Sequence, residues 1–105
     1  MIAPALNRLE VETRLHDVRA AILQLGVSRL ALFGSLRRDE AHAASDVDVL
    51  VEFAPGQKTY AHLLDLGDLL EDVLQRRVEL VTPESLSPFL RPHILAEAED
   101  VLRVA

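Results

Sequence analysis

The chain contains no cysteine and no tryptophan. Without cysteine, neither a disulfide scaffold nor a thiolate metal site can form. Aromatic residues make up only 4% of the sequence, as Phe33, Phe53, Tyr60 and Phe89, too few to build a stacking platform for single-stranded nucleic acid. Basic residues are also scarce: 11 Lys and Arg face 17 Asp and Glu, giving a formal net charge of −6. A protein that grips a long nucleic acid usually carries a basic footprint. The balance therefore argues against a template-dependent polymerase or a tRNA-sized substrate, and leaves small nucleotides or a protein as partners. No uninterrupted apolar run approaches the roughly 20 residues of a membrane span. Met1–Leu6 lacks the basic start and long apolar segment of a secretory signal, so a cytoplasmic location is expected.

Half of the 105 residues are hydrophobic, enough for one core and too few for a second module. A single domain over residues 1–105 is expected. Val11, Leu15, Val18, Ile22 and Leu25 recur at spacings of four and three, which predicts one helix from Asn7 to Leu25, stopped by Gly26. Val27 to Phe33 is aliphatic and β-branched and ends abruptly at Gly34, as a buried strand would. Asp46 to Val51 alternates carboxylate and aliphatic residues, which predicts a second strand. Pro55-Gly56 marks a turn. Ala61 to Gln75 is again helical, with Leu63, Leu66, Leu70, Val73 and Leu74 on one stripe, widened by Leu64 and Leu69. Arg77 to Thr82 predicts a third strand, Ser87 to Glu99 a last helix, and Val101 to Val104 a short closing strand. The order predicts an α/β (α+β) domain in which a small mixed sheet is packed with helices.

The candidate chemistry is concentrated between residues 34 and 48. Gly34 permits a sharp turn and has no Cβ to hold a phosphate away from the backbone. Ser35 adds a hydroxyl and a helix N-cap, and free N–H groups at a helix start attract anions. Arg38 can match phosphate oxygens with its planar fork. Side chains alternate along a strand, so Asp46 and Asp48 share one face, with Cα atoms about 6.5–7 Å apart. Two carboxylates on one face repel each other, and a divalent cation removes that penalty. Hard oxygen ligands suit Mg²⁺, which takes one or two carboxylates plus phosphate oxygens and water. Each element also has an ordinary reading: Gly-Ser dipeptides mark many turns, and aspartates often begin an edge strand in solvent. Glu79 stands among apolar neighbours in the third strand, where a carboxylate is costly unless it meets a cation or water.

Taken together, Gly34-Ser35, ten intervening residues and Asp46-Val47-Asp48 with its aliphatic tail resemble the signature of the polymerase-β-like nucleotidyltransferase superfamily. The short chain resembles the minimal nucleotidyltransferases within it, often antitoxins paired with a HEPN-domain toxin. Arg77 to Leu86 resembles that family's third strand and following turn. The resemblance implies the polymerase-β-like fold and Mg²⁺-dependent transfer of AMP from ATP to a hydroxyl of the toxin. It implies Gly34, Ser35 and Arg38 as nucleotide-binding residues. It also implies Asp46 and Asp48 as metal ligands, with Glu79 where the family usually has a third aspartate that activates the acceptor and shares the metal. Glu79 is one methylene longer, which shifts its carboxylate by roughly 1–1.5 Å. Asp39 replaces a glycine common after the arginine. These departures motivate the alternative of a non-catalytic antitoxin that neutralises its partner by binding. Assembly as a homodimer or as a hetero-oligomer with the partner is compatible with either reading.

Overall fold

A computed structural model of the chain describes residues 7–34 and 46–104. The first helical stretch begins where Asn7 accepts a hydrogen bond from the Glu10 N–H at 2.8 Å, satisfying one of the free donors of a helix start. It is not one helix but two, α1 (Arg8–Asp17) and α2 (Arg19–Gln24). They are separated by Val18 at φ −111° and ψ 20°. A β-branched residue resists the helical well, and the break leaves Val11, Leu15 and Ile22 all fully buried. Gly26 then reverses the chain at φ +81°, packed so closely on Gln57 that a side chain would not fit.

Four strands follow: β1 (Val27–Phe33), β2 (Val47–Phe53), β3 (Val78–Val81) and β4 (Glu99–Arg103). They form one sheet in the order β3-β2-β1-β4. β1 pairs antiparallel with both β2 and β4, whereas β2 and β3 are parallel. A parallel pair needs a crossover, supplied by α3 (Tyr60–Leu74). This helix starts at Thr59, whose hydroxyl caps the His62 N–H, and ends at Gln75 in the left-handed conformation. Glu71 on its outer side accepts the Val78 N–H at 2.9 Å, so it ties the helix to the start of β3 instead of being only a solvated charge.

Strand alternation sorts the core into two layers. Leu30 and Leu32 of β1 and Val47, Val49 and Val51 of β2 meet Val11, Leu15, Ile22, Leu66, Leu70 and Leu74 from the helices. The other face buries Ala31, Leu50 and Leu86, with Phe33, Val81, Ile94, Leu95 and Ala98 around them. A short 3-10 turn (Pro83–Ser85) and α4 (Arg91–Glu97) cover this second face. The expected α/β sandwich with a mixed sheet is thus present. The last helix is shorter than the expected Ser87–Glu99. Pro92 falls in its first turn, where a missing N–H costs nothing, and Glu99 already belongs to β4. Leu64, expected on the buried stripe of α3, is exposed, while Leu69 packs against the core. Among the described residues no helix is long and apolar enough to cross a membrane.

Gly67 lies inside α3, where glycine costs about 1 kcal/mol relative to alanine. A Cβ there would meet Leu80 Cδ1 at 3.7 Å, an ordinary contact with no clash. Gly67→Ala is therefore expected to raise stability by about 0.5–1 kcal/mol, read as a higher urea midpoint. A lower midpoint would contradict the packing described.

Candidate active site

The second face of the sheet has two ends with opposite electrostatics. At one end Arg29, on β1, donates from Nη1 to Glu52 on β2 at 2.8 Å and from Nε to Asp100 on β4 at 2.5 Å. One largely buried guanidinium therefore links three strands and neutralises two carboxylates. These pairs hold the guanidinium's pKa above its ordinary value, the Glu52 hydrogen bond contributing most.

The other end collects carboxylates. Asp48 stands opposite Phe33 of β1 and opposite Glu79 of β3, so the register brings Asp48 and Glu79 side by side. Asp46 lies two residues earlier, at the mouth of β2, and is exposed. Among the described residues no cationic side chain pairs with Asp46, Asp48 or Glu79. The consequence falls on Asp48, whose pKa rises from 3.8 to about 6. Partial burial is the first cause. A hydrogen bond to Glu79 follows, then the negative charges of Glu79, Asp46 and Glu97. Asp48 therefore carries a proton below about pH 6 and is ionised above it.

Gly34 completes this end. It turns the chain at φ +74°, in the left-handed region that favours glycine. A Cβ built on it would lie 2.3 Å from Asp48 Oδ2, so any side chain here would push the Asp48 carboxylate away. The backbone angle favours glycine, and its bare Cα lets the carboxylate lean over the turn. Ser35 and Arg38 lie outside the described residues.

The sequence pattern thus selected Gly34, Asp46, Asp48 and Glu79, and the structure gathers all four at one end of β1 and β2. It missed Glu97. The last helix, expected to continue to Glu99, instead ends at Glu97 so that the chain can enter β4. Glu99 pairs with Leu32, which brings Glu97 alongside the end of β1, within electrostatic reach of Asp48. Only the register of β1 with β4 reveals this, and one-dimensional periodicity does not carry register.

Among the described residues no group of three or more acidic or histidine side chains is gathered closely enough to hold a metal ion alone. Two adjacent carboxyl groups, one held above its ordinary pKa, are nonetheless a hard-oxygen donor set whose repulsion a divalent cation would relieve. Mg²⁺ commonly takes one or two protein carboxylates and completes its shell with phosphate oxygens and water. The residues present fit that mode of binding. Three concavities of about 370, 300 and 220 Å³ lie elsewhere, the largest against α1 and β4 around Leu9, His16 and Val101. None of these carboxylates lines them.

Comparisons with known proteins identify the family and the fold. The nucleotidyltransferase domain family matches residues 15–101. A candidate protein adenylyltransferase of Methanocaldococcus jannaschii is 44% identical over 97 residues, 92% of this chain and 100% of that protein. The protein adenylyltransferase MntA of Thermococcus cleftensis is 36% identical over 74 residues, 70% of this chain and 74% of that protein. A solved candidate minimal nucleotidyltransferase superposes with a TM-score of 0.79 at 34% identity, covering 90% of this chain and 95% of that chain. A chain in the complex of a tri-AMPylated Shewanella oneidensis HEPN toxin with its MNT antitoxin shares the fold, with a TM-score of 0.65 at 18% identity. That match covers 92% of this chain and 73% of that one.

The raised pKa of Asp48 makes a test of the site's electrostatics. Between about pH 4 and pH 6 the folded state holds a proton that the unfolded state has released. Stability from this group is therefore full below about pH 4 and is lost as pH rises through about 6. Urea midpoints of the metal-free chain across this window should fall more steeply for wild type than for Asp48→Asn. Equal slopes would contradict the assignment. Family match, fold and the carboxylates at the end of β1 and β2 agree: the chain belongs to the nucleotidyltransferase domain family.

Proposed function

We propose that this protein transfers AMP from ATP to a hydroxyl group of a partner protein, a HEPN-type toxin, and acts as the antitoxin of that pair. The observation that carries the reading is the Asp48–Glu79 carboxyl pair set against Gly34, a site built for concentrated negative charge. The relatives add the acceptor class. The Methanocaldococcus and Thermococcus proteins carry protein adenylyltransferase names, and the Shewanella complex joins an AMPylated HEPN toxin to an MNT antitoxin.

In this reading the bare Cα of Gly34 lets the triphosphate approach the turn, and Ser35 and Arg38 supply the hydroxyl and guanidinium on the phosphate side. Asp46 and Asp48 would hold Mg²⁺, with Glu79 within reach to share it. When bound, Mg²⁺ neutralises phosphate charge as it builds on the leaving group. Asp48 is ionised above about pH 6 and would then offer its oxygens to the cation, while Glu79 stands beside it as a proton acceptor. Glu79 then takes the proton of the acceptor hydroxyl. The acceptor oxygen bonds to the α-phosphorus, the bond between the α-phosphorus and the α–β bridging oxygen breaks, and pyrophosphate departs. The extra methylene of Glu79 sets the carboxylate further from the strand than an aspartate would. The acceptor hydroxyl must therefore be met a little further out, and positioning at this scale governs rate.

Asp48→Asn keeps the size of the side chain but removes its charge. Transfer of AMP to the HEPN protein should fall by about 100-fold or more, while the urea transition remains cooperative. Full activity in the folded variant would remove Asp48 from the mechanism.

A further inference from the structure

Two of the chain's four aromatic side chains are in solvent: Tyr60 is 78% exposed and Phe89 is 85% exposed. They are far apart in sequence, yet both flank one turn. Lys58, two residues before Tyr60, reaches Glu84 at 3.1 Å and Thr82 at 3.5 Å. Arg91, two residues after Phe89, donates to the carbonyls of Pro83 at 2.9 Å and Leu86 at 3.2 Å. The starts of α3 and α4 are thus fastened to the same Thr82–Leu86 segment. Leu64, one turn along α3 from Tyr60, and Leu90, next to Phe89, are exposed as well. Scattered single apolar residues on a surface are ordinary. Four large ones around one fixed turn, including half of a scarce aromatic complement, are the composition of a binding anchor.

We infer that Tyr60, Leu64, Phe89 and Leu90 form the surface on which the acceptor protein docks for nucleotidyl transfer. This rests on the reading that the acceptor is a protein. Three features point to that occupant. First, α4 connects the two places: it leaves the turn beside Phe89 and ends at Glu97, near Asp48. Seven residues of helix span about 10 Å, so a protein presenting a hydroxyl at Asp48 is large enough to cover Phe89 at the same time. A free nucleotide is too small to do so. Second, the patch has a mixed charged rim. Asp68 continues the Tyr60–Leu64 stripe of α3 one turn further and is exposed, while Lys58 and Glu84 pair across the turn at 3.1 Å. The complementary partner surface is an apolar socket with polar edges. Third, the patch stands on rigid elements, both helix starts being tied down by the hydrogen bonds above, which lowers the cost of binding.

The test compares wild type, the double variant Tyr60→Ser/Phe89→Ser and, as an exposed apolar control on α1, Leu9→Ser. The probe is a purified HEPN-domain toxin, the acceptor class of the Shewanella complex, with α-labelled ATP and Mg²⁺. Both substituted aromatic positions are exposed, so a native urea transition is expected in the double variant. The Kd for the HEPN protein and the KM for labelling it should rise at least tenfold in the double variant. ATP binding by the chain alone and kcat at saturating partner should be unchanged, and Leu9→Ser should match wild type. Binding lost in the double variant, with no label transferred even by wild type, would support the docking surface and overturn the transfer reading. Equal binding and labelling by wild type and double variant would overturn the docking surface. Loss of self-association with partner binding intact would assign the patch to a second copy of the chain, and would overturn the proposal as well.

Discussion

Asp48 leans over a backbone that has no side chain to stop it. Its Oδ2 occupies the space that a Cβ on Gly34 would need, and it stands opposite Glu79 of the neighbouring strand. Three strands must be in register for this contact to exist, since Phe33, Asp48 and Glu79 lie opposite one another across β1, β2 and β3. The apolar residues on the far side of those strands fix that register. A slip of one residue would send Val47, Val49 and Val51 out of the main core. The largest hydrophobic layer of the protein thus sets the position of a carboxylate on the opposite face.

That opposite face is built economically. Its apolar layer is small, resting on Ala31, Leu50 and Leu86 with Phe33 and Val81 beside them, and charged residues stand at both ends of it. At one end Arg29 satisfies Glu52 and Asp100 within the chain. At the other, Asp46, Asp48 and Glu79 have no cationic partner among the described residues, and Glu97 adds a fourth charge nearby. Breaking a buried pair costs more than never forming one. Among the described residues, Arg29 thus serves structure at one end of this face, and Asp46, Asp48 and Glu79 at the other pair with no described cation.

Much of this was legible in the sequence because its signals are local. The glycine that ends β1, the alternating Asp46–Val51 strand and the leucine stripe of α3 each declare themselves by spacing, and the strand and the stripe fell within two residues of the observed bounds. The features missed depend on what happens elsewhere. Val18 continues the helical stripe in one dimension but breaks the helix in three, because Val11, Leu15 and Ile22 must all reach the sheet. Leu64 fits the apolar pattern of α3 yet is exposed, since a helix on a sheet buries a narrower arc than its leucines supply. The last helix was drawn too long because Glu97, Ala98 and Glu99 have nothing against helix in their composition. Only pairing with β1 recruits Glu99 into β4. Ser35 and Arg38, central to the sequence signature, lie outside the described residues.

The most direct measurement is a transfer assay with the HEPN-domain protein, Mg²⁺ and ATP labelled on either the α- or the γ-phosphate, with the Asp46→Asn/Asp48→Asn double variant alongside. The account predicts that label reaches the HEPN protein from the α-phosphate alone, with pyrophosphate released, and that the double variant transfers none. Label arriving from the γ-phosphate, or undiminished transfer by the double variant, would contradict it. So would a HEPN protein bound and silenced without any label, since the carboxylates at the end of β1 and β2 would then be serving no chemistry in that pair.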